Sequence, residues 1–321
     1  MSITGSTEKQ NIAMKQNIRL LPALALAFCF TFTACKKETK NTDTSSDTEV
    51  TKHSEDQTNV SNSMDMITND INAAVETSAS FSGREMNTQN ICNTSITLDT
   101  LSNPRRITIT YNGADCSGTT TRQGVVTVSM PQNMRWRDAG AQLTVNYQNL
   151  RVTRIADNKS IVINGTHLIT NVNGGLLYQL ANLSNITHTI TSSNMSITFD
   201  DNSQRVWQVA RQRVFTYNNG IVITTTGLHT AGTITGITEW GTNRFGHAFT
   251  TAISSPLVMR QDCLFRLGSG EVTHQGFATV TVRFGLDAQG NATGCPGANA
   301  YYGRITWTGP NGNSVTHLFP Y

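Results

Sequence analysis

The chain has 321 residues with 37% hydrophobic and 14% charged side chains and a formal charge of +3, which fits a folded body of one large domain or two small ones. Charge is uneven: 8 Lys and Arg face 12 Asp and Glu through residue 100, net −4, whereas 16 face 9 after it, net +7. Fifteen of those 16 cations are Arg and Lys159 is the only lysine after Lys52, so a Walker-type phosphate loop is excluded and lysine chemistry nearly so.

Along the chain, Met14-Lys15-Gln16-Asn17-Ile18-Arg19 supplies two positive charges, Leu20 to Ala34 is almost wholly apolar, and the small Ala34 precedes Cys35. That is the layout of a bacterial lipoprotein signal peptide, cut before Cys35, whose thiol then takes up lipid. The apolar run is about 15 residues against the roughly 20 a spanning helix needs. Residues 1–34 therefore read as a signal peptide with Met14 as the true start, and lipidated Cys35 as a membrane anchor. Lys37-Glu38 resembles the basic-then-acidic signal that routes some Bacteroidota lipoproteins to the outer face of the outer membrane, so the expected address is the outer membrane.

From Lys36 to Ser63 the chain holds no aromatic, Leu, Ile or Met. Such composition buries too little apolar area to offset its ordering entropy, so 35–63 reads as a lipidated cysteine followed by a disordered tether. The body is then 64–321. In its first segment Met66, Ile67, Ile71, Ala74 and Val75 fall at helical spacing, which predicts one short helix at about 64–80.

After Gly83 the period becomes two: Ile107, Ile109 and Tyr111 alternate with polar residues, as do Val126, Val128 and Met130, Leu143, Val145 and Tyr147, and later runs to Ile305 and Trp307. Asn112-Gly113, Asn164-Gly165, Asn173-Gly174, Asn219-Gly220, Asn311-Gly312, Asp157-Asn158 and Asp200-Asp201-Asn202 read as tight turns between them. The expected fold class is all-β: a large antiparallel meander of about 12–16 strands, in a strongly curved sheet or a sandwich, with one N-terminal helix.

Four cysteines remain in the body: Cys92, Cys116, Cys263 and Cys295. Export favours disulfides, and of three possible pairings the neighbour pairing, Cys92 with Cys116 and Cys263 with Cys295, is expected. Each bridge is worth roughly 3 kcal/mol by loop-closure entropy. A zinc site is the alternative, but no C-x-x-C or adjacent histidine supports it.

The stretch Ser255 to Glu271, S-P-L-V-M-R-Q-D-C-L-F-R-L-G-S-G-E, resembles a segment of uncharacterised Bacteroidota envelope lipoproteins. So do the Cys116 segment, with Arg122-x-Gly124 opening a strand, and Arg137-Asp138-Ala139-Gly140. The resemblance covers about residues 90–320 and implies an all-β, lipid-anchored protein; it implies no activity.

Catalytic signatures are sparse. The six body histidines, His167, His188, His229, His247, His274 and His317, form no short ligand pair and read as surface or half-buried strand residues. No G-x-S-x-G occurs, and Gly268-Ser269-Gly270 reads as a turn or bulge. Asp138, Glu239, Asp262 and Glu271 are the acids outside obvious turns that a glycosidase pair would draw on. Asp287-x-Gln289-x-Asn291 is half a calcium loop without the closing glutamate.

Arg205, Trp207, Arg211 and Arg213 fall on one face of a strand, a strip able to stack on a sugar ring and fork to carboxylates, or else to pack across strands. Arg135-Trp136-Arg137 instead reads as a core anchor. The sequence thus points to a lipid-anchored, non-enzymatic envelope module that binds a glycan or an envelope protein, without cofactor, metal or nucleic acid. The alternative is an envelope glycan hydrolase using a carboxylate pair.

Overall fold

A computed structural model describes residues 44–83, 91–276, 278–295, 300–308 and 314–321. The signal peptide, Met14, Cys35 and the Asn311-Gly312 turn lie outside them. The order is α1 (Thr44–Thr77), α2 (Ala79–Ser82), β1 (Thr94–Asp99), β2 (Arg105–Ala114), β3 (Thr120–Met130), β4 (Ala141–Arg154) and β5 (Ser160–Asn171). A 3-10 turn (Leu177–Asn182) precedes β6 (Ile186–Phe199), β7 (Gln204–Tyr217), β8 (Ile221–Gly227), β9 (His229–Ala231) and β10 (Ile234–Thr242). The chain closes with β11 (Ala248–Arg260), β12 (Leu267–Gln275), β13 (Val280–Leu286), β14 (Tyr302–Thr308) and β15 (Ser314–Pro320).

All fifteen strands join one antiparallel sheet, a meander interrupted once. Strands β8 and β10 follow one another between β7 and β11, β8 pairing Arg211–Tyr217 and β10 pairing Val206–Val209, with β9 as a short finger on β10. The all-β expectation is met, and the strand count lies within the expected range.

Alternation decides the inner face. Ile107, Ile109, Val126, Val128, Leu143 and Val145 are all fully buried, while their sequence neighbours face outward or sit at intermediate depth. Register shifts occur at Gln123/Val125, Tyr147/Leu150, Asn164/Thr166 and Thr191/Met195 between consecutive strand pairs from β3 to β7. Each bulge bends and twists its strand, so a line of them curls the sheet. Gly124 shows the requirement: its φ is +128°, and a Cβ there would lie 2.6 Å from the Asn149 carbonyl oxygen.

Asn164-Gly165, read as a turn, is one of these bulges inside β5, and Asn112-Gly113 lies inside β2. Gly268-Ser269-Gly270 lies within β12. Asp157-Asn158, Asp200-Asp201-Asn202 and Asn219-Gly220 do connect consecutive strands.

The helix departs most from expectation. It starts at Thr44 and runs 34 residues, so the disordered tether expected over 35–63 is corrected for 44–63, and the short helix at 64–80 becomes the second half of α1. Met64, Ile67, Ile71, Ala74 and Val75 enter an apolar cluster with strands β2 to β7; Met64 takes the inward place expected of Met66. Gly83, with φ +83°, caps α2. A second cluster gathers Phe215, Ile223, Met259, Val282, Phe284, Ile305, Trp307 and Phe319, with Val50 as the only α1 member. No helix among the described residues is long and apolar enough to cross a membrane.

Candidate functional site

The inner face of β7 carries Arg205, Trp207, Arg211 and Arg213, as the two-residue period requires, but all four are at most 2% exposed. The ligand-binding strip expected from the sequence is therefore covered. Helix α1 covers it, and its polar side chains meet the strip: Asp65 Oδ1 lies 3.1 Å from Arg211 Nη1 and 3.9 Å from Arg213 Nη2. Fully desolvated guanidiniums need such partners, since an isolated buried charge is very costly.

Glu239 of β10 is the centre of this network. A register shift between Ile237 and Glu239 turns Thr238 inward beside it, so three successive residues are buried. Trp207 Nε1 donates to Glu239 Oε2 at 2.6 Å and Ser61 Oγ to Oε1 at 2.8 Å, while Arg205 and Arg211 stand 4.0 and 3.9 Å away. The Gln57 amide bridges the cluster, donating to Glu239 and accepting from Arg205. Burial lowers the Arg205 guanidinium to about 10, against the opposing pull of Glu239, so it stays charged at neutral pH. Its guanidinium also sits 4.1 Å from the Phe249 ring centroid.

Further pairs fasten α1 along its length. Glu49 meets His247 Nδ1 at 2.6 Å, and Arg244 forks onto Asp56 through Nε and Nη2 at 2.6 and 2.9 Å. Arg154 donates to Asn59 at 2.6 Å, and Asp70 pairs with Arg122 and accepts from Tyr111 at 3.2 Å. Glu76 accepts the Leu177 backbone N–H at 2.7 Å. Burial raises its carboxyl from 4.5 to about 7, which the backbone donors only partly offset. The acidic helix α1 is thus seated on the arginine-rich sheet.

Three of the six body histidines depart from the surface or half-buried placement expected of them, while His229 is half-buried and His247 and His317 are exposed as expected. His167, His188 and His274 are at most 2% exposed, and burial, with a nearby arginine, pushes each down to about 3, so they are neutral. His167 Nδ1 pairs with Tyr147 Oη at 3.1 Å and His274 Nδ1 with Thr251 Oγ1 at 2.9 Å. Glu239, Thr251 and His274 occupy adjoining inner positions on β10, β11 and β12.

Two crevices flank α1, each with room for a water or two, about 20 Å³. One lies between Glu49, His53, Phe249 and Val280, the other between Gln57, Asp65, Thr238 and Phe284, and His274 borders both. Asp65 and Glu239 therefore share a crevice and the Arg211 guanidinium.

The other candidates are placed as follows. Cys92–Cys116 and Cys263–Cys295 are disulfides, each with Cα atoms 5.2 Å apart, as the neighbour pairing predicts. Among the described residues the one metal-like grouping, Asp262 with Cys263 and Cys295, has both sulfurs in that bridge. Asp287 accepts the Gln289 and Asn291 backbone N–H groups at 2.9 and 2.8 Å, a self-closing turn. Glu271 accepts from Ser254 at 3.0 Å, exposed Asp262 pairs with Arg260, and exposed Asp138 accepts the Arg135 N–H at 2.8 Å. Trp136 is fully buried, the core anchor expected of it.

Sequence reasoning missed Asp56, Gln57 and Ser61 because they sit in a run without apolar periodicity, and Asp65 because it lies at the start of the predicted helix with no signal of what packs against it. The available signal was the opposition of −4 and +7 between the two parts of the chain. No protein-family model, curated protein or solved structure matches this chain.

Proposed function

We propose that the chain is a lipid-anchored protein of the cell envelope, tethered to the outer membrane through Cys35, and that its β body is a non-enzymatic binding module for another envelope protein. The observation that carries this reading is Glu239. Its two oxygens accept from Trp207, Gln57 and Ser61 while two arginines neutralise it, a constellation suited to holding a polar peptide segment. With Trp207 buried beneath α1, sugar stacking on the strip loses its platform.

The competing reading, a glycan hydrolase, draws on Asp65 and Glu239 on either side of Arg211. Paired-acid chemistry needs one carboxyl able to carry a proton at the substrate and the other free to attack or activate water. Glu239, held by three donors and two cations, supports neither role.

The anchor is tested by metabolic lipid labelling. Cys35→Ser is expected to abolish label and release the protein from membranes; normal retention of the variant would refute the anchor. Cross-linking on intact cells then tests the partner class, a discrete protein adduct being the expected product.

A further inference from the structure

The two halves of α1 are held by different physics. Residues 60–77 bring Val60, Met64, Ile67, Ile71, Ala74 and Val75 to the first apolar cluster. Residues 44–59 bring Val50 to the second and pack the His53 ring on Phe249 and His274; the rest of their hold is polar, with Glu49 on His247 and Asn243, Asp56 on Arg244, Gln57 between Arg205 and Glu239, and Asn59 on Arg154. Ion pairs and amide bridges contribute little net stability once desolvation and side-chain ordering are counted, whereas the apolar half is fixed by burial. The first half is therefore the part of the helix that opens first.

Beneath it lies a ready-made groove. The sheet side presents Asn243, Glu239, Thr238 and His274 between the apolar walls Phe249 and Phe284, with Arg205 and Arg244 beside them under Gln57 and Asp56. Several of these groups, each at least 98% buried, have polar atoms without a protein partner: His274 Nε2, Thr238 Oγ1, and Arg205 Nε and Nη1. Both crevices border this surface and share His274, and lifting 44–59 uncovers the first by removing Glu49, Val50 and His53 and opens the near end of the second by removing Gln57 and Thr58. The groove is a better receptor than its resident segment uses.

We propose that residues 44–59 are a displaceable strap lying in a ligand groove, and that the groove's ligand is an acidic peptide segment of a partner protein. The strap is itself the template for that chemistry. It carries Asp47, Glu49, Glu55 and Asp56 against Lys52 alone, and Arg244 takes the Asp56 carboxylate with a two-pronged fork. A competing peptide wins by offering the same carboxylate and amide spacing together with acceptors for the unpartnered atoms, and it inherits the strap's place. This rests on the binding-module reading and names its site.

The test uses the purified full chain and a fluorescent synthetic peptide of residues 44–59 as the probe. Hydrogen exchange is expected to show amides of 44–59 opening at least 100-fold faster than those of 60–77. The peptide is expected to bind saturably, about tenfold more tightly when the strap carries Asp56→Asn and at least tenfold more weakly when the groove carries Arg244→Ala. Arg244→Lys, which keeps the charge and loses the fork, is expected to weaken binding as well and serves if the alanine variant does not fold. Equal protection of 44–59 and 60–77 would overturn the strap. Peptide binding that is absent, or indifferent to Arg244, would overturn the groove, while a protein adduct on intact cells would still stand for the wider reading.

Discussion

Replacing Glu76 by Gln is expected to stabilise the protein, and only where the pH is high enough. Glu76 is 7% exposed near the end of α1 and accepts the Leu177 N–H. Burial raises its carboxyl from 4.5 to about 7. Below pH 4.5 it is protonated whether the chain is folded or not, and the fold bears no penalty. Between pH 4.5 and 7 the unfolded chain releases the proton while the folded chain retains it, so stability falls as pH rises, and it levels off above 7. At 1.36 kcal/mol per pH unit the whole interval is worth about 3 kcal/mol. Glutamine keeps the acceptor oxygen for Leu177 and cannot ionise. Urea unfolding of both proteins from pH 4 to 8.5 should therefore show a difference near zero at pH 4, growing to about 3 kcal/mol in favour of Glu76→Gln at pH 8. A difference that stays flat across that range would refute the assignment of the penalty to Glu76.

Glu239→Ala is expected to cost about 3–5 kcal/mol in the same assay, because it leaves Arg205 and Arg211 buried with less counter-charge. A loss below 1 kcal/mol would show that Asp65 and Gln57 alone hold those arginines. Gly124→Val forces a β-branched side chain to φ +128° against the Asn149 carbonyl, and should cost at least about 2 kcal/mol. Circular dichroism melting would check it, an unchanged midpoint counting against the bulge as a fixed feature of the sheet.

The strands were legible because threonine and asparagine alternate with Ile, Val and Tyr, and a half-buried sheet enforces that period on every run. The disulfides were legible for a related reason: Cys92 and Cys116 bracket β1 and β2, so the meander itself brings neighbouring cysteines together. The bulges were not, since Asn164-Gly165 has the same composition in a bulge as in a hairpin turn, and only cross-strand register separates the two. Nor was the first half of α1 legible. Ser54, Asp56, Gln57 and Thr58 are at most 4% exposed, yet nothing apolar recurs among them. Gln57 and Asp56 are met by arginines 148 and 188 residues further along the chain, and composition rules assume that polar runs stay in water. The covered strip failed as a binding surface for the same reason: one strand's face can be read from its own sequence, but not what lies over it.

The early start of α1 also sets a leash. With the helix beginning at Thr44, only residues 36–43 separate it in sequence from the proposed lipid at Cys35. Eight residues span at most about 30 Å whatever their conformation. Releasing 44–59 adds 16 residues and raises that bound to about 80 Å. An incoming peptide that takes the strap's place would thereby let the body ride higher and turn more freely above the bilayer, converting occupancy of the groove into altitude.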